Sequence, residues 1–265
     1  MDNRPIGVFD SGLGGLTVVK ALRELLPSES IVYLGDTARL PYGVKSQSLV
    51  KQFSLQIVRF LLEKNAKAII VACNTATAMA LNSLKNKFKN IPIIGVIKPG
   101  SEKAIAETIT KKIGVIGTIA TISSNAYEKT IQQKDSRVEI ISRACPLFVP
   151  FVEEGLTNGF AINEIANHYL SPFNNKVDTL ILGCTHYPLL KGVIFDNTEN
   201  INLIDSASSV AEVAYKILLD HKLLSVEENS SVFDCYVTDL PMRFEQLGNI
   251  FFGSNITNVQ LVDEF

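Results

Sequence analysis

The sequence predicts an α/β protein of two similar lobes. Each lobe is a mostly parallel sheet flanked by helices; a pseudo-twofold relates them, and an active site lies in the cleft between. Three observations carry this expectation. Aliphatic strands alternate with amphipathic helices, the pattern of parallel sheets covered on both faces. Several segments occur twice in the same order. Residues 69–77 and 180–190 each run an aliphatic strand into a cysteine followed by polar residues. Ile6-Gly7-Val8 before Asp10-Ser11 matches Ile113-Gly114-Val115 before Gly117-Thr118, and residues 92–100 have a looser counterpart in 202–206. The offsets, about 111, 107 and 110 residues, are nearly constant, as a duplication would leave them. Finally, the carboxyl ends of the strands, where such sheets bind ligands, are unusually polar.

Residues 6–9 read as a strand, and Asp10-Ser11-Gly12-Leu13-Gly14-Gly15 as a glycine-rich turn. Leu16, Val19, Leu22, Leu25 and Leu26 then recur at helical spacing up to Pro27. The turn is neither GxGxxG nor a P-loop, since no Gly-Lys-Ser/Thr follows. Its glycines still let backbone N–H groups approach an anion at the helix start, and a carboxylate suits that place as well as a phosphate. Residues 31–34 are the next strand, leading through Asp36-Thr37 to the loop Arg39-Leu40-Pro41-Tyr42-Gly43. Leu49, Phe53, Ile57, Phe60 and Leu61 mark an amphipathic helix started by Ser46. After the Cys73 strand comes a helix lined by Leu81, Leu84 and Phe88, then a strand over 91–97 closed by Pro99-Gly100.

The second half repeats the alternation. Residues 112–117 are strand, 120–132 helix, 138–141 strand and 162–169 helix. The Cys184 strand follows, then a strand over 201–204 and a helix through Val210, Ala214, Ile217 and Leu218. From about Ser231 the chain reads strand, helix, strand to Phe265, with no counterpart among the repeats. We read this tail as returning to complete the first half, so the lobes are 1–97 plus 208–265 and 98–207.

The composition narrows the function. At 46% hydrophobic and 20% charged, the 265 residues are those of an ordinary globular protein. Net charge is −2, with neither a basic stripe for nucleic acid nor a polybasic segment for a membrane surface. No apolar run approaches the ~18 residues that span a bilayer. The first residues lack an apolar stretch with a cleavage site, so the expected location is cytoplasmic. Cys73, Cys145, Cys184 and Cys235 lie far apart without a CxxC pair and are expected as free thiols. The spacing of Cys184 and His186 is not that of a zinc site, and no metal is expected.

A lone cysteine is most often a small buried hydrophobe, which suits Cys145 and Cys235. Cys73 and Cys184 are different, because each ends a strand beside hydroxyl or amide side chains at equivalent places in the repeats. Two matched thiols on opposite sides of one cavity suit a racemase. One takes the α-proton from one face, the other donates to the opposite face, and the roles exchange in reverse. A redox dithiol would need bonding distance, and a covalent hydrolase needs only one nucleophile. Asp10, Glu153 and His186 are the polar partners available, Asp10 to assist Cys73 and His186 to assist Cys184. With no Arg or Lys inside the cysteine motifs, neutral donors are expected to hold the substrate carboxylates.

The chain resembles the glutamate racemases of the aspartate/glutamate racemase superfamily, cofactor-independent enzymes that supply D-glutamate for peptidoglycan. The resemblance covers nearly the whole chain and is carried by IGVFDSGLGGLTV (6–18), GDTARLPYG (35–43), VACNTATA (71–78), GVIGTIATI (114–122), CPLFVPFVEEG (145–155) and LGCTHYPLL (182–190). It implies that glutamate is enclosed between the lobes, with Cys73 taking the proton from D-glutamate and Cys184 from L-glutamate. It also implies a site of Asp10, Ser11, Pro41, Tyr42, Gly43, Asn74, Thr75, Thr121, Glu153, Thr185 and His186 around the two thiols. No cofactor is expected, and the expected assembly is a homodimer. Lys98, where many relatives resembling this chain carry an acidic residue, is a hinge candidate. Two other readings stay open: a racemase of another acidic amino acid such as aspartate, and a non-catalytic amino-acid-binding relative.

Overall fold

β1 (Ile6–Asp10), β2 (Ile31–Gly35) and β3 (Ala68–Val71) are buried along their whole length, as unbroken aliphatic runs require when helices cover both faces of a sheet. β4 (Ile93–Gly95) pairs with β3, and β9 (Phe233–Val237) and β10 (Val259–Leu261) extend the sheet beyond β2. The result is a six-stranded parallel sheet ordered β10-β9-β2-β1-β3-β4. β5 (Lys112–Gly117), β6 (Glu139–Ala144), β7 (Thr179–Gly183) and β8 (Asn202–Asp205) make a second parallel sheet, ordered β6-β5-β7-β8. The computed structural model describes residues 2–225, 231–256 and 258–262.

The sheets share one design. β2-β1-β3-β4 in the first corresponds to β6-β5-β7-β8 in the second, so the repeated sequence segments occupy matching strands. In each, the chain reverses its direction of winding between the two central strands, β1 and β3 or β5 and β7. That reversal leaves a crevice beyond their carboxyl ends. Asp10-Ser11 and Cys73 stand at the first crevice, Thr118 and Cys184 at the second.

The helices follow from apolar spacing and caps. α1 (Leu16–Leu25) buries Leu16, Val18, Val19 and Leu22, each such side chain stabilising the fold by about 1.5–3 kcal/mol. α2 (Gln47–Glu63) begins at Ser46, whose hydroxyl accepts from Leu49 N as expected. α3 (Asn74–Lys87) is capped by Cys73 itself, α5 (Ile119–Ser123) by Thr118 and α10 (Ser206–Asp220) by Asp205. α10 packs on both α1 and α4 (Ile97–Glu107), and so joins the two lobes. At the opposite end of the first sheet from the crevice, buried Glu29 pairs with buried Lys67 at 2.5 Å and accepts from Ser225 N at 2.8 Å, fastening the chain that leaves α10.

Three expectations change. The strand over 91–97 is shorter, and Pro99-Gly100 does not end it but lies in the first turn of α4. Proline is tolerated there because first-turn N–H groups have no intrahelical acceptor. Lys98 is in that turn too, its side chain exposed and 4.0 Å from Glu102. The helix expected over 120–132 is two, α5 and α6 (Ala126–Lys134), because Asn125 adopts a left-handed conformation (φ 53°) between them. Short helices α7 (Phe148–Glu153) and α9 (Lys191–Asp196) flank α8 (Phe160–Leu170), and α11 (Pro241–Phe252) links β9 to β10. Residues 263–265 of the expected last strand lie outside the described residues. No helix among the described residues is long and apolar enough to cross a membrane.

Candidate active site

One cavity of about 290 Å³ lies where the two crevices face each other. It is at the small end of the range for ligand pockets, roughly 300–1,000 Å³. Its wall brings together Ser11, Pro41, Tyr42 and Gly43 with Cys73, Asn74 and Thr75 of the first half. Glu153, Cys184, Thr185 and His186 come from the second. Asp10 and Thr121 are fully buried and stand behind the lining. Cys145 and Cys235 are buried elsewhere, with burial pushing the Cys145 thiol up to about 12. Among the described residues, no three His, Cys, Asp or Glu side chains converge as a metal site would need.

Cys73 and Cys184 are 5% and 7% exposed, enough for each sulfur to meet the cavity and little enough to exclude bulk water. The Cys73 sulfur accepts from Ala76 N at 3.4 Å and lies 3.8 Å from Ser11 Oγ. A helix start favours a thiolate, but burial first and the Asp10 carboxylate second push this thiol well above its ordinary value. Cys73 is therefore held as a neutral thiol, able to act as an acid.

Cys184 has a different setting. His186 Nδ1 lies 4.0 Å from its sulfur, and His186 Nε2 lies 3.1 Å from Glu153 Oε1. Burial pulls the imidazole down, yet the Cys184 and Glu153 interactions outweigh it and hold His186 up to about 10. The ring can keep a proton beside the Cys184 sulfur.

Asp10 reaches further than the sequence suggested. Its oxygens accept from Gly12 N at 3.1 Å and from Thr185 Oγ1 at 3.5 Å. Burial raises its pKa, opposed first by His186. It thus faces the second thiol's neighbours as well as Cys73, and the side chain within reach of Cys73 is Ser11. The lobes meet tightly here: a Cβ on Gly14 would fall 2.1 Å from Thr185 Oγ1, so only glycine lets the first turn approach.

No Lys or Arg lines the cavity among the described residues. Arg39, the base nearest the Pro41-Tyr42-Gly43 loop, gives Nε to both oxygens of buried Asp36 at 2.8 Å and Nη1 to Gln56 at 2.6 Å. Asp36 also accepts from Tyr42 Oη and from Thr238 Oγ1, so one carboxylate fixes the loop.

The sequence reading matched Thr118 to Ser11 through the repeats but left it out of the site. Its hydroxyl closes a triangle with Thr75 (2.9 Å) and Thr121 (2.9 Å), and Thr75 and Thr121 are 3.1 Å apart. The signal was present, because Thr118 holds in the second repeat the place of Ser11 in the first. The apolar wall of Ile119, Pro146, Val149 and Pro150 was missed too. No local pattern distinguishes such residues from ordinary core.

Comparison with known proteins identifies the chains that this one is similar to. A family model described as Asp/Glu/Hydantoin racemase matches residues 8–214. The chain is 47% identical over 261 residues to a glutamate racemase of Chlorobium phaeobacteroides, covering 98% of this chain and 96% of that protein. It is 44% identical over 260 residues to one of Neisseria meningitidis, with the same coverages. The crystal structure of glutamate racemase from Francisella tularensis in complex with D-glutamate superposes with a TM-score of 0.94 at 42% identity, covering 99% of this chain and 98% of that one.

Proposed function

The chain belongs to the Asp/Glu/Hydantoin racemase family, and from that premise we propose that it interconverts L- and D-glutamate by proton transfer at the α-carbon, without a cofactor. The observation that carries this reading is the placement of Cys73 and Cys184 at matching strand ends of two sheets, lining one small cavity. The similarity to glutamate racemases favours glutamate over aspartate, the second reading kept from the sequence.

In this reading Cys184 takes the α-proton of L-glutamate while Cys73 delivers one to the opposite face; D-glutamate reverses the roles. Glu153 orients and charges His186, while Asp10 sets the charge felt by both halves. Ser11, Pro41, Tyr42, Gly43, Asn74, Thr75, Thr121, Thr185 and His186 bind the substrate. Its carboxylates are held by hydroxyl, amide and backbone N–H donors, since the nearest guanidinium is spent on Asp36. The lobes divide as 1–97 plus 208–265 and 98–207. The enzyme serves peptidoglycan synthesis in the cytoplasm. It acts as a homodimer; exposed Val44 and Ile119 at the cavity mouth support an apolar contact there.

Turnover in D2O tests the chemistry. Each thiol exchanges with solvent, so product formed early carries deuterium at the α-carbon and the protein stays colourless. Product that keeps its protium overturns the two-thiol reading. Absence of turnover on glutamate, with turnover on aspartate, selects the second reading.

A further inference from the structure

Asn74 follows Cys73, opens α3 and lines the cavity, yet its side chain is buried. Its Oδ1 accepts from Tyr127 Oη at 2.7 Å, and the same phenol oxygen lies 3.2 Å from Ser206 Oγ. A phenol has one proton to give. Given to Asn74, that proton leaves the oxygen to accept from Ser206, so a relay runs from Ser206 through Tyr127 to Asn74. The Asn74 Nδ2 has no hydrogen-bond partner among the described residues. A buried amide donor left unpaired is costly, and it marks a place completed by something else.

Tyr127 comes from α6 of the second sheet's half, Asn74 from the first, and Ser206 from the helix that joins them. The phenol ring also lies against Gly183, where a Cβ would fall 3.1 Å from Cε2. Tyr127 therefore touches the residue after one thiol and the residue before the other.

We propose that Tyr127 is a positioning residue that reaches across the cleft and fixes the Asn74 amide, so that Nδ2 is presented to a carboxylate of the amino-acid substrate. The inference rests on the glutamate reading above. With the phenol holding Oδ1, the amide cannot rotate its oxygen toward the anion. The donor is assembled only when both halves are in place. The carboxylate already carries its full negative charge when the substrate enters, so the contact is made on binding and its loss is read first in KM.

The test is Tyr127→Phe, which keeps the ring and removes the relay, assayed beside the unaltered enzyme with both enantiomers. KM is expected to rise about tenfold for each, as for a lost or loosened hydrogen bond to an anion, with kcat within about threefold. In the Asn74→Ala background the same change should have no further effect on KM. Asn74→Asp tests the orientation without touching Tyr127. The phenol would hold one carboxylate oxygen and leave the other facing the substrate, so Asn74→Asp should bind glutamate more weakly than Asn74→Ala. An unchanged KM in Tyr127→Phe, a fall in kcat alone, or tighter binding by Asn74→Asp than by Asn74→Ala overturns the inference while the unaltered enzyme still racemises. An unaltered enzyme that does not turn over glutamate removes the underlying function and this inference with it.

Discussion

Glu153 holds His186 by a 3.1 Å contact from Oε1 to Nε2, leaving Nδ1 to face the Cys184 sulfur at 4.0 Å. Burial lowers the imidazole, and the contacts at its two nitrogens together raise it to about 10. The stability that the protonated ring contributes is fully present below the ordinary value of ~6.5. It is lost as pH rises through about 10. Glu153→Gln removes one of the raising groups. The alkaline limb of the rate profile should then move toward neutral pH, read from kcat/KM between about pH 7 and pH 11. Superimposable profiles would show that Glu153 does not govern the proton on His186.

Replacing Cys73 or Cys184 with Ala should lower racemisation by about a thousandfold, within the 10²–10⁴ usual for a positioned acid or base. Cys145→Ala and Cys235→Ala remove buried sulfurs that do not line the cavity. They should cost roughly 1 kcal/mol in stability and leave turnover within a few-fold. If Cys73→Ala retained most of the activity, the assignment of the pair would be wrong.

Cys73 should resist iodoacetamide at neutral pH, since burial and then Asp10 hold its thiol neutral. Asp10→Asn removes the charge and should speed labelling of Cys73, measured by mass spectrometry of the modified peptide over time. Because Asp10 also accepts from Thr185 and faces His186, the variant should lose kcat in both directions. Unchanged labelling, or a loss confined to one direction, would contradict this geometry.

Asp36→Asn takes from Arg39 the carboxylate that its Nε grips and loosens the Pro41-Tyr42-Gly43 loop. The cost should be on the order of 2–4 kcal/mol, below a fully buried pair because Arg39 keeps 21% exposure. Thermal unfolding should fall by several degrees, and KM for glutamate should rise. A wild-type KM in a destabilised variant would separate the loop from substrate binding.

Much of this molecule was legible because its information is local. The strands of both sheets, the capping of α2 by Ser46 and the reactive strand ends follow from aliphatic runs and their punctuation. What escaped depends on distance across the fold. Pro99-Gly100 looks like a stop, yet the first turn of α4 needs neither the missing N–H nor a side chain at Gly100. Asn125 breaks a helix that apolar spacing alone would continue. Thr118 and Tyr127 take their roles from partners in the other half, Thr75 and Asn74. A repeat reveals which strand ends match, but not which side chains reach over.

The pairing of Ile31 with Phe233, in the ladder between β2 and β9, has a consequence in time. A ribosome delivers Ile31–Gly35 early and Phe233–Val237 late, and the whole β5–β8 sheet is made in between. That inner sheet comes from one continuous stretch and can close while its neighbour still waits. Until β9 emerges, β2 offers an open row of N–H and C=O groups that a nearby nascent chain can borrow. The yield of this protein in a cell should therefore depend on translation rate and chaperone supply as much as on the strength of the finished core.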